Sequence, residues 1–385
     1  MEPIRRTRRS VLQRNRKQQG IWLSMLLMIF VLFFGIVSFL AADRKHSDAE
    51  NRSLAQAPEF SWQSLTDGSY FEGINDYLAD QFVGRDFWIS LRLSFTRFMG
   101  ASESNGVLLC DDDYLMEKPT APNEAALTRN LDAINGFAQR HPELNTTVSI
   151  VPTAAGVLLD KLPTNAPVRD QHADITAIAE RLQNVKFADV TDSMRAFPDR
   201  CVYYHTDHHW TSEGAYHAFM DMADELMVSP IDEYAVYTVS NTFEGTLASK
   251  SGCHDTEDTI QIYVPKPEVN YSVTYVQDGE TTSSLYRRDA LRQKDQYTLF
   301  FGGNPPRIDI RTDSNTGRHL LLIKDSYANC MVQLLTPYYD SIVMIDPRFY
   351  TDSADELVTA EGITDVLFLY NINTFHEDTN LYKIF

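Results

Sequence analysis

The sequence predicts an α/β protein with a mainly parallel sheet flanked by helices, one N-terminal transmembrane helix and a β-rich insertion. From residue 123 onward, short β-branched apolar runs alternate with amphipathic helical patterns, which is typical of strands joined by helical crossovers. An uncharged apolar run near the N-terminus indicates the membrane helix. Between about 234 and 296, stretches rich in Tyr, Val and Thr are separated by Gly, Pro and Asp, which predicts inserted antiparallel strands.

The N-terminal 42 residues combine a basic segment with an apolar one. Seven basic side chains and one acidic side chain lie in the first 20 residues, and no charged residue lies between 21 and 42. A helix of about 20 apolar residues spans the hydrocarbon layer of a bilayer, and basic residues stay on its cytoplasmic side. A cleaved signal peptide is the alternative. The chain then divides into a cytoplasmic tail, a membrane helix, a polar linker and an extracytoplasmic domain, at 1–20, 21–42, 43–58 and 59–385.

Charge and cysteine content narrow the class of partner and the kind of site. The formal net charge is −19 despite the basic N-terminus, so the rest of the chain repels nucleic acid. The four cysteines form no C-x-x-C pair, which argues against a zinc cage. Outside the cytoplasm one or two disulfides are possible, for example between Cys201 and Cys253, whereas we expect Cys330 to be a buried apolar residue on a helix.

The pattern of apolar residues predicts helices and strands in alternation. Helices are expected at 68–98, 123–140, 175–182, 211–227 and 327–335. Strands are expected at 106–110, 114–116, 146–151, 185–190, 297–301, 320–323, 341–345 and 365–370.

The first motif with chemical potential is YHTDHHWTSEG at 204–214, between a strand and a helix. A hydroxyl nucleophile needs an imidazole and a carboxylate that orients it. In an extended segment, Asp207 and His209 project to the same side, so Asp207 can bind one ring nitrogen while His208 points away. A histidine-rich loop with structural hydrogen bonds is the alternative interpretation.

The second motif is LLLIKDSYAN at 320–329, where an apolar strand ends in a polar turn that opens a helix. This order places Ser326 at the carboxyl end of a strand, where open α/β sheets bind ligands. The N–H groups of the helix start can also stabilise a developing oxyanion. Alternatively, Ser326 is only a helix N-cap.

Together, the two motifs resemble the DHHW proteins, which are related to the alginate O-acetyltransferases of the SGNH hydrolase-like class. The resemblance implies an SGNH-like fold with Ser326 as nucleophile, His209 as base and Asp207 as the residue that orients it. Lys324 stands where many serine hydrolases have glycine. Further matching motifs are FVGR at 82–85, NGV at 105–107, VPT at 151–153, FEGT at 243–246, GGN at 302–304 and YNIN at 370–373. The resemblance offers Gly303 or Asn304, and Asn371 or Asn373, as oxyanion residues, while residues of these types are equally turn formers. Trp210 and Tyr327 flank the proposed site, where exposed aromatics can stack on sugar rings, although such residues more often belong to the core.

The resemblance implies an O-acetyltransferase or acetylesterase that acts on a cell-surface polysaccharide, with no cofactor or metal. A membrane partner would supply the acyl group. Two alternatives stay open at this point. One is an SGNH-like domain that binds glycan without turnover. The other is a metal-dependent phosphoesterase of the DHH type, in which Asp207, His208 and His209 bind manganese together with early aspartates, for which only Asp111, Asp112 and Asp113 are available.

Overall fold

The computed structural model describes residues 3–197, 201–231 and 233–385, with the backbone alone for 3–15. The chain divides into two compact units, 1–95 and 96–385. The first unit contains a long helix, a two-stranded hairpin and three shorter helices, the last of which crosses the boundary. These elements are α1 (Pro3–Leu40), β1 (His46–Ser47), β2 (Arg52–Ser53), α2 (Trp62–Asp67), α3 (Ser69–Asp80) and α4 (Arg85–Phe98).

Helix α1 includes the predicted membrane segment. Its stretch Arg16–Leu40 has 25 residues and a mean hydropathy of 2.7, and none of its most apolar window is buried. By length and composition it is able to cross a membrane. In the predicted cytoplasmic tail, residues 1–2 and the side chains of 3–15 lie outside the described residues, so the topology stays a prediction.

In the first unit, ion pairs around one buried carboxylate join the hairpin to α3 and to the start of α4. Asp80, which is 8% exposed, lies 2.5 Å from Arg52 and 3.6 Å from Arg85. Arg52 is in the hairpin β1–β2, so part of the predicted linker is folded against α3. The helical prediction for 68–98 is confirmed, with a break between α3 and α4 near Gly84.

The second unit contains the remaining elements. Its strands are β3 (Glu103–Ser104), β4 (Val107–Leu109), β5 (Leu115–Glu117), β6 (Asn145–Val151), β7 (Lys186–Phe187), β8 (Tyr234–Phe243), β9 (Asp258–Pro265), β10 (Tyr271–Tyr275), β11 (Glu280–Thr282), β12 (Arg307–Thr312), β13 (His319–Lys324), β14 (Ser341–Ile345) and β15 (Asp365–Asn371). Its helices are α5 (Glu124–Arg140), α6 (Ala154–Val157), α7 (Gln171–Ala179), α8 (Thr191–Arg195), α9 (Ser212–Met222), α10 (Thr246–Ser251), α11 (Ala328–Leu335), α12 (Ala354–Ala360) and α13 (Ile372–Glu377).

An eight-stranded mixed sheet organises this unit, in the order β11-β10-β12-β14-β13-β15-β6-β7. The pairs from β14 to β7 are parallel, whereas β11, β10, β12 and β14 pair antiparallel. The α/β class is therefore confirmed, but the sheet is mixed rather than mainly parallel. The difference arises because part of the β-rich insertion, β10 and β11, extends the sheet through β12, while β8 and β9 form a separate antiparallel pair.

The two faces of the sheet are both covered. Along β13, Leu320 and Leu322 belong to one buried apolar cluster, and Leu321 and Ile323 belong to the other. Helices flank both faces, so the parallel strands are apolar on both sides, as expected for a buried parallel sheet. This burial leaves the strand ends as the place where polar side chains reach solvent.

Most predicted elements are present, with shifts of a few residues at their ends. The predicted strand 297–301 is wrong, since Gln296–Leu299 is a 3₁₀ helix, and only an isolated bridge joins Phe300 to Tyr286. A short apolar run has the same residue pattern in a strand and in a buried turn, so its sequence does not distinguish the two structures. Cys330 is buried on α11 as expected, but the four cysteines form no disulfide, so the suggested pairing of Cys201 with Cys253 is absent.

Candidate active site

Ser326 lies in the turn between β13 and α11, at the carboxyl end of a central parallel strand. Among residues 321–330 it alone is not buried. The preceding Asp325 fixes the turn, because its carboxylate accepts the Tyr327 N–H at 2.9 Å and the Asn371 backbone N–H at 2.9 Å. The Ser326 hydroxyl does not cap α11, whose N-cap residue is Tyr327 without a side-chain cap bond. The sequence around Ser326 thus exposes one hydroxyl on an otherwise buried edge.

Asp207 and His209 lie in a loop that is closed by an antiparallel bridge between Tyr203 and Trp210. The buried carboxylate of Asp258, at the start of β9, accepts the backbone N–H groups of His205 and Thr206 at 2.9 and 2.8 Å. It also contacts the His205 ring at 3.1 Å. Burial is the largest single effect and lowers the pKa of His205, but the hydrogen bonds and charges of Asp258 and Cys201 together outweigh it and raise this pKa to about 10. The inserted strand β9 therefore anchors the loop.

The structure brings Asp207, His209 and Ser326 into one hydrogen-bonded chain. His209 Nδ1 lies 2.5 Å from Asp207 Oδ1, and His209 Nε2 lies 2.7 Å from Ser326 Oγ. When Nδ1–H donates to the ionised carboxylate, Nε2 has a lone pair that accepts the serine O–H. This is the geometry that activates a hydroxyl nucleophile, although the catalytic roles themselves stay predictions.

His208 does not point away from the pair, so that prediction is wrong. Its ring centroid lies 3.9 Å from that of His209, and its Nδ1 lies 3.6 Å from Asp207 Oδ1. The reason is local backbone conformation, because residues 205–209 bend instead of running extended. The alternation of sides that holds for a strand does not apply to a bend.

Thr246 holds the second oxygen of Asp207 and was missed as a site residue. Asp207 Oδ2 accepts the Thr246 N–H at 2.8 Å and the Thr246 hydroxyl at 2.9 Å. Gly245 permits this approach, because a Cβ at that position would lie 2.3 Å from the Asp207 Cβ. The FEGT motif at 243–246 had signalled these two residues without indicating their role.

Tyr297 covers the imidazole of His209 and was also missed. The two rings stack at 3.8 Å with an interplanar angle of 13°, and the tyrosine hydroxyl donates to the Ser326 carbonyl at 3.1 Å. The wrong strand prediction at 297–301 had concealed this residue. Its ring lies flat against the imidazole and restricts the orientation of that ring.

Trp210 and Tyr327 are not exposed aromatics, contrary to expectation. Trp210 is 0% and Tyr327 is 1% exposed. The Trp210 indole donates to the Tyr327 carbonyl at 2.8 Å, and the Tyr327 hydroxyl donates to the His208 carbonyl at 2.5 Å. The two polar groups thus join the loop that carries Asp207 and His209 to the turn that carries Ser326. Because both rings are buried, neither has a face that a sugar reaches.

The site favours an ionised Asp207 and a neutral His209. Burial raises the pKa of Asp207, but the adjacent rings of His208 and His209 outweigh burial and lower it far below its usual range. Burial lowers the pKa of His209 to about 4, and the neighbouring His208 adds to this lowering. Burial and the charge of Asp207 raise the pKa of the nearby Asp295, another residue that was missed. At neutral pH, His209 is therefore an unprotonated base.

Of the four predicted oxyanion residues, Gly303 and Asn304 lie beside the Ser326 turn. Asn304 Oδ1 accepts from Lys324 Nζ at 2.9 Å and from Asn329 Nδ2 at 3.2 Å. The Gly303 N–H makes only a long contact of 3.4 Å with the Phe300 carbonyl. The Gly303 N–H is therefore weakly used, and the role of this turn as an oxyanion site stays a prediction.

Asn371 and Asn373 have other partners. The Asn371 amide donates to Asp325 at 2.6 Å and its oxygen accepts the Thr374 N–H at 2.9 Å. Asn373 accepts the Thr120 N–H at 2.9 Å. Since both side chains serve the backbone and the Ser326 turn, the structure does not bring them to the hydroxyl as donors.

Lys324 is buried, which explains how a lysine occupies the position where many serine hydrolases have glycine. It is 2% exposed and donates to Asn329 Oδ1 at 2.8 Å as well as to Asn304. Burial lowers its pKa to about 8, against the opposing effect of Asp346, whose carboxylate lies 3.8 Å away. The side chain ends in a polar cluster with Asn304, Asn329 and Asp346 that supports the Gly303–Asn304 turn.

Two clusters of metal-ligating side chains occur in the described part of the chain: Asp207 with His208 and His209, and Cys201 with His205 and Asp258. In the first, both ring nitrogens of His209 already have partners, Asp207 and Ser326. The acidic turn proposed as a further source of metal ligands, Asp111–Asp113, is not part of that cluster. Its Asp112 is paired with Lys161 at 2.6 Å.

The fold and these contacts define an α/β protein with a carboxylate–imidazole–hydroxyl chain at the carboxyl edge of its sheet. The chain belongs to the DHHW protein family, which matches residues 129–345. No curated protein matches it.

Three solved structures are similar to this chain to different degrees. A DHHW family protein from Eubacterium siraeum is 25% identical, with a TM-score of 0.63, over 73% of this chain and 95% of that one. PatB1 from Bacillus cereus, solved with a sulfonyl adduct, is 21% identical, with a TM-score of 0.59, over 72% of this chain and 98% of that one. The O-acetyltransferase domain of Pseudomonas putida AlgJ is 17% identical, with a TM-score of 0.47, over 72% of this chain and 94% of that one.

Proposed function

We propose that this protein is a membrane-anchored, SGNH-like serine acyltransferase that acts outside the cytoplasm on a cell-surface polysaccharide. The observation that carries the proposal is the hydrogen-bonded chain from Asp207 through His209 to Ser326, with distances of 2.5 and 2.7 Å. Membership of the DHHW family and its resemblance to alginate-acetylating proteins favour acetyl as the group that is transferred.

In the first half-reaction, Ser326 Oγ bonds to the acyl carbonyl carbon while its proton passes to His209 Nε2. The negative charge that develops on the carbonyl oxygen is held by donors of the Gly303–Asn304 turn. The bond to the donor's leaving group then breaks, and that group takes the proton from His209. Asp207 stabilises the transient imidazolium but keeps its own charge.

In the second half-reaction, a sugar hydroxyl gives its proton to His209 and bonds to the acyl carbon. Ser326 Oγ leaves and recovers the proton, so that an O-acyl sugar and the free serine result. Water in place of the sugar hydroxyl would yield a carboxylic acid, which is the esterase outcome. The acyl donor is expected from a membrane partner.

The test is acyl turnover by the full-length protein in detergent. The unchanged chain is expected to release acetate from an activated acetyl ester and to transfer acetyl to an oligosaccharide acceptor. Ser326→Ala should remove turnover, while Ser94→Ala, on a helix of the first unit, should leave it unchanged. Equal turnover in a folded Ser326→Ala variant would refute the assignment of the nucleophile.

A covalent probe gives a second readout that does not depend on the natural donor. A sulfonyl fluoride forms an O–S bond with an activated serine and loses fluoride, while the proton passes to the base. Intact-mass and peptide analysis should find the label on Ser326 and a strong reduction in His209→Asn. Polysaccharide binding without turnover or labelling would instead support the non-catalytic glycan-binding alternative.

A further inference from the structure

A row of large apolar side chains lies exposed along α4. Phe87, Leu91 and Phe95 recur every four residues, and they are 62%, 47% and 62% exposed. On the preceding α3, Phe71 and Leu78 are each 58% exposed. Soluble proteins seldom leave so many aromatic and aliphatic side chains together in water. We call Phe87, Leu91 and Phe95 the α4 row.

The α4 row belongs to the same compact unit as α1, and the start of α4 lies near the C-terminal end of α1. The Trp88 ring of α4 packs on Phe34 of α1 at 5.6 Å and on Phe30 at 6.4 Å. Phe82, between α3 and α4, stacks on Phe34 at 5.9 Å. The Val83 N–H also donates to the Ser38 hydroxyl at 3.1 Å. These contacts hold the start of α4 against the last turns of the apolar helix.

The depth of these contacts fits the boundary of a bilayer. Phe34 precedes the end of α1 at Leu40 by six residues, which corresponds to roughly 9 Å along a helix axis. Amphipathic helices that lie in a membrane surface bury their apolar side by about 5–10 Å. Tryptophan is enriched at this level, which is where Trp88 would lie. The charged side chains of the unit begin just after α1 ends, where Asp43 accepts a hydrogen bond from the Tyr77 hydroxyl at 2.9 Å.

We propose that α4 lies in the extracytoplasmic boundary of the lipid bilayer, with the α4 row inserted among acyl chains beside the membrane helix. This inference rests on the proposed membrane anchor and goes beyond it. Lipid is the occupant favoured by the structure, because α1 exposes its own apolar residues to the same surroundings and is held against α4. The first unit would then hold the protein at a fixed depth in the membrane surface.

The experiment measures lipid exposure in the full-length protein. In a Cys201→Ser background, Leu91→Cys is spin-labelled and the protein is placed in phosphatidylcholine–phosphatidylglycerol nanodiscs. Collision with oxygen, which concentrates in lipid, is compared with collision with a water-soluble nickel complex. Asp76→Cys, on the opposite side of α3 from Phe71 and Leu78, is the matched control. The Cys201→Ser protein without an added cysteine corrects for spin label bound to Cys110, Cys253 and Cys330.

The expected result is that the label at 91 collides mainly with oxygen and the label at 76 mainly with nickel. Preference for nickel at 91, or protection from both reagents, would overturn the proposal, since the first means water and the second a covering protein surface. Ile36, on α1, is 57% exposed, and Ile36→Cys tests the membrane anchor separately from the inserted α4 row. Lipid exposure at 36 with water exposure at 91 would retain the anchor and refute only the inserted row.

Discussion

At the scale of single residues, the environment of His209 decides the protonation state of the site. Burial is the main cause that lowers its pKa from 6.5 to about 4, and His208 is the second. Because an unfolded histidine binds its proton near pH 6.5, the unfolded chain holds more protons than the folded chain between about pH 4 and 6.5. The contribution of His209 therefore makes the folded state less stable as pH falls through this range.

Replacing His208 tests this electrostatic influence. His208→Asn removes a group that lowers the pKa of His209, so the acid limb of kcat/KM should move from near pH 4 to higher pH. The measurement is the pH profile of ester turnover, with His254→Asn as a control histidine paired to Glu244 instead. An acid limb that stays in place would show that His208 has no electrostatic effect on the base.

The residues of the hydrogen-bonded chain could be predicted because each lies in a short sequence motif that is itself recognisable. Asp207 and His209 lie in a histidine-rich motif, and Ser326 follows an apolar strand. Thr246 and Tyr297 could not be assigned a role, since their contacts depend on how the insertion folds back. The same reason explains the error at Trp210, where sequence gives the residue type but not its burial.

At the scale of elements, the loop that carries Asp207 and His209 depends on the segment between β8 and α10. The chain turns at Gly245 and directs the Thr246 N–H and hydroxyl at one carboxylate oxygen. At Gly245 φ is −82°, so any residue could adopt this backbone conformation, and the constraint is space alone. Within 2.7 Å of an added Cβ lie atoms of the Asp207 side chain and backbone.

Gly245→Ala should therefore displace Asp207 and weaken the site. We expect kcat to fall by roughly 10²-fold or more, as happens when a catalytic group is misplaced by about 1 Å. The unfolding midpoint should fall as well, because overpacking typically costs about 1–3 kcal/mol. Gly136→Ala is the control, since its Cβ would meet only the end of Arg140 at 3.3 Å. Unchanged kcat in Gly245→Ala would contradict the close approach.

The alternation of strands and helices predicted the centre of the sheet but not its edge. Strands such as β13 and β14 were found because continuous apolar runs are typical of strands buried on both faces. Strand β12, which reads RIDIRT, was missed because charged residues alternate with two isoleucines in so short a segment. As a result, antiparallel strands were predicted in 234–296, but the joining of β10 and β11 to the main sheet through β12 was not.

At the scale of the whole molecule, the membrane helix and the distribution of charge predict the topology. Basic residues precede the apolar run 21–42, and an acidic body follows it. Under the rule that basic residues stay in the cytoplasm, the second unit is predicted to face outward. The proposed polysaccharide substrate on the cell surface requires this orientation.

Protease added to intact cells should consequently digest the region after α1. The measurement is immunoblotting of a C-terminal epitope, with a cytoplasmic protein as the control for cell integrity. Permeabilised cells establish that the protease cuts the folded protein at all. Complete protection of the epitope in intact cells, followed by digestion after permeabilisation, would contradict the outward orientation.

The central position of β15 has a consequence for biosynthesis. This strand lies between β13 and β6, and its Asn371 binds the Asp325 carboxylate that fixes the serine turn. Yet the ribosome makes residues 365–371 after every other strand of the sheet. A nascent chain therefore cannot complete the sheet, or the Asn371 contacts of the Ser326 turn, until this strand has been made. The turn that carries the serine is thus among the last parts of the sheet to be assembled.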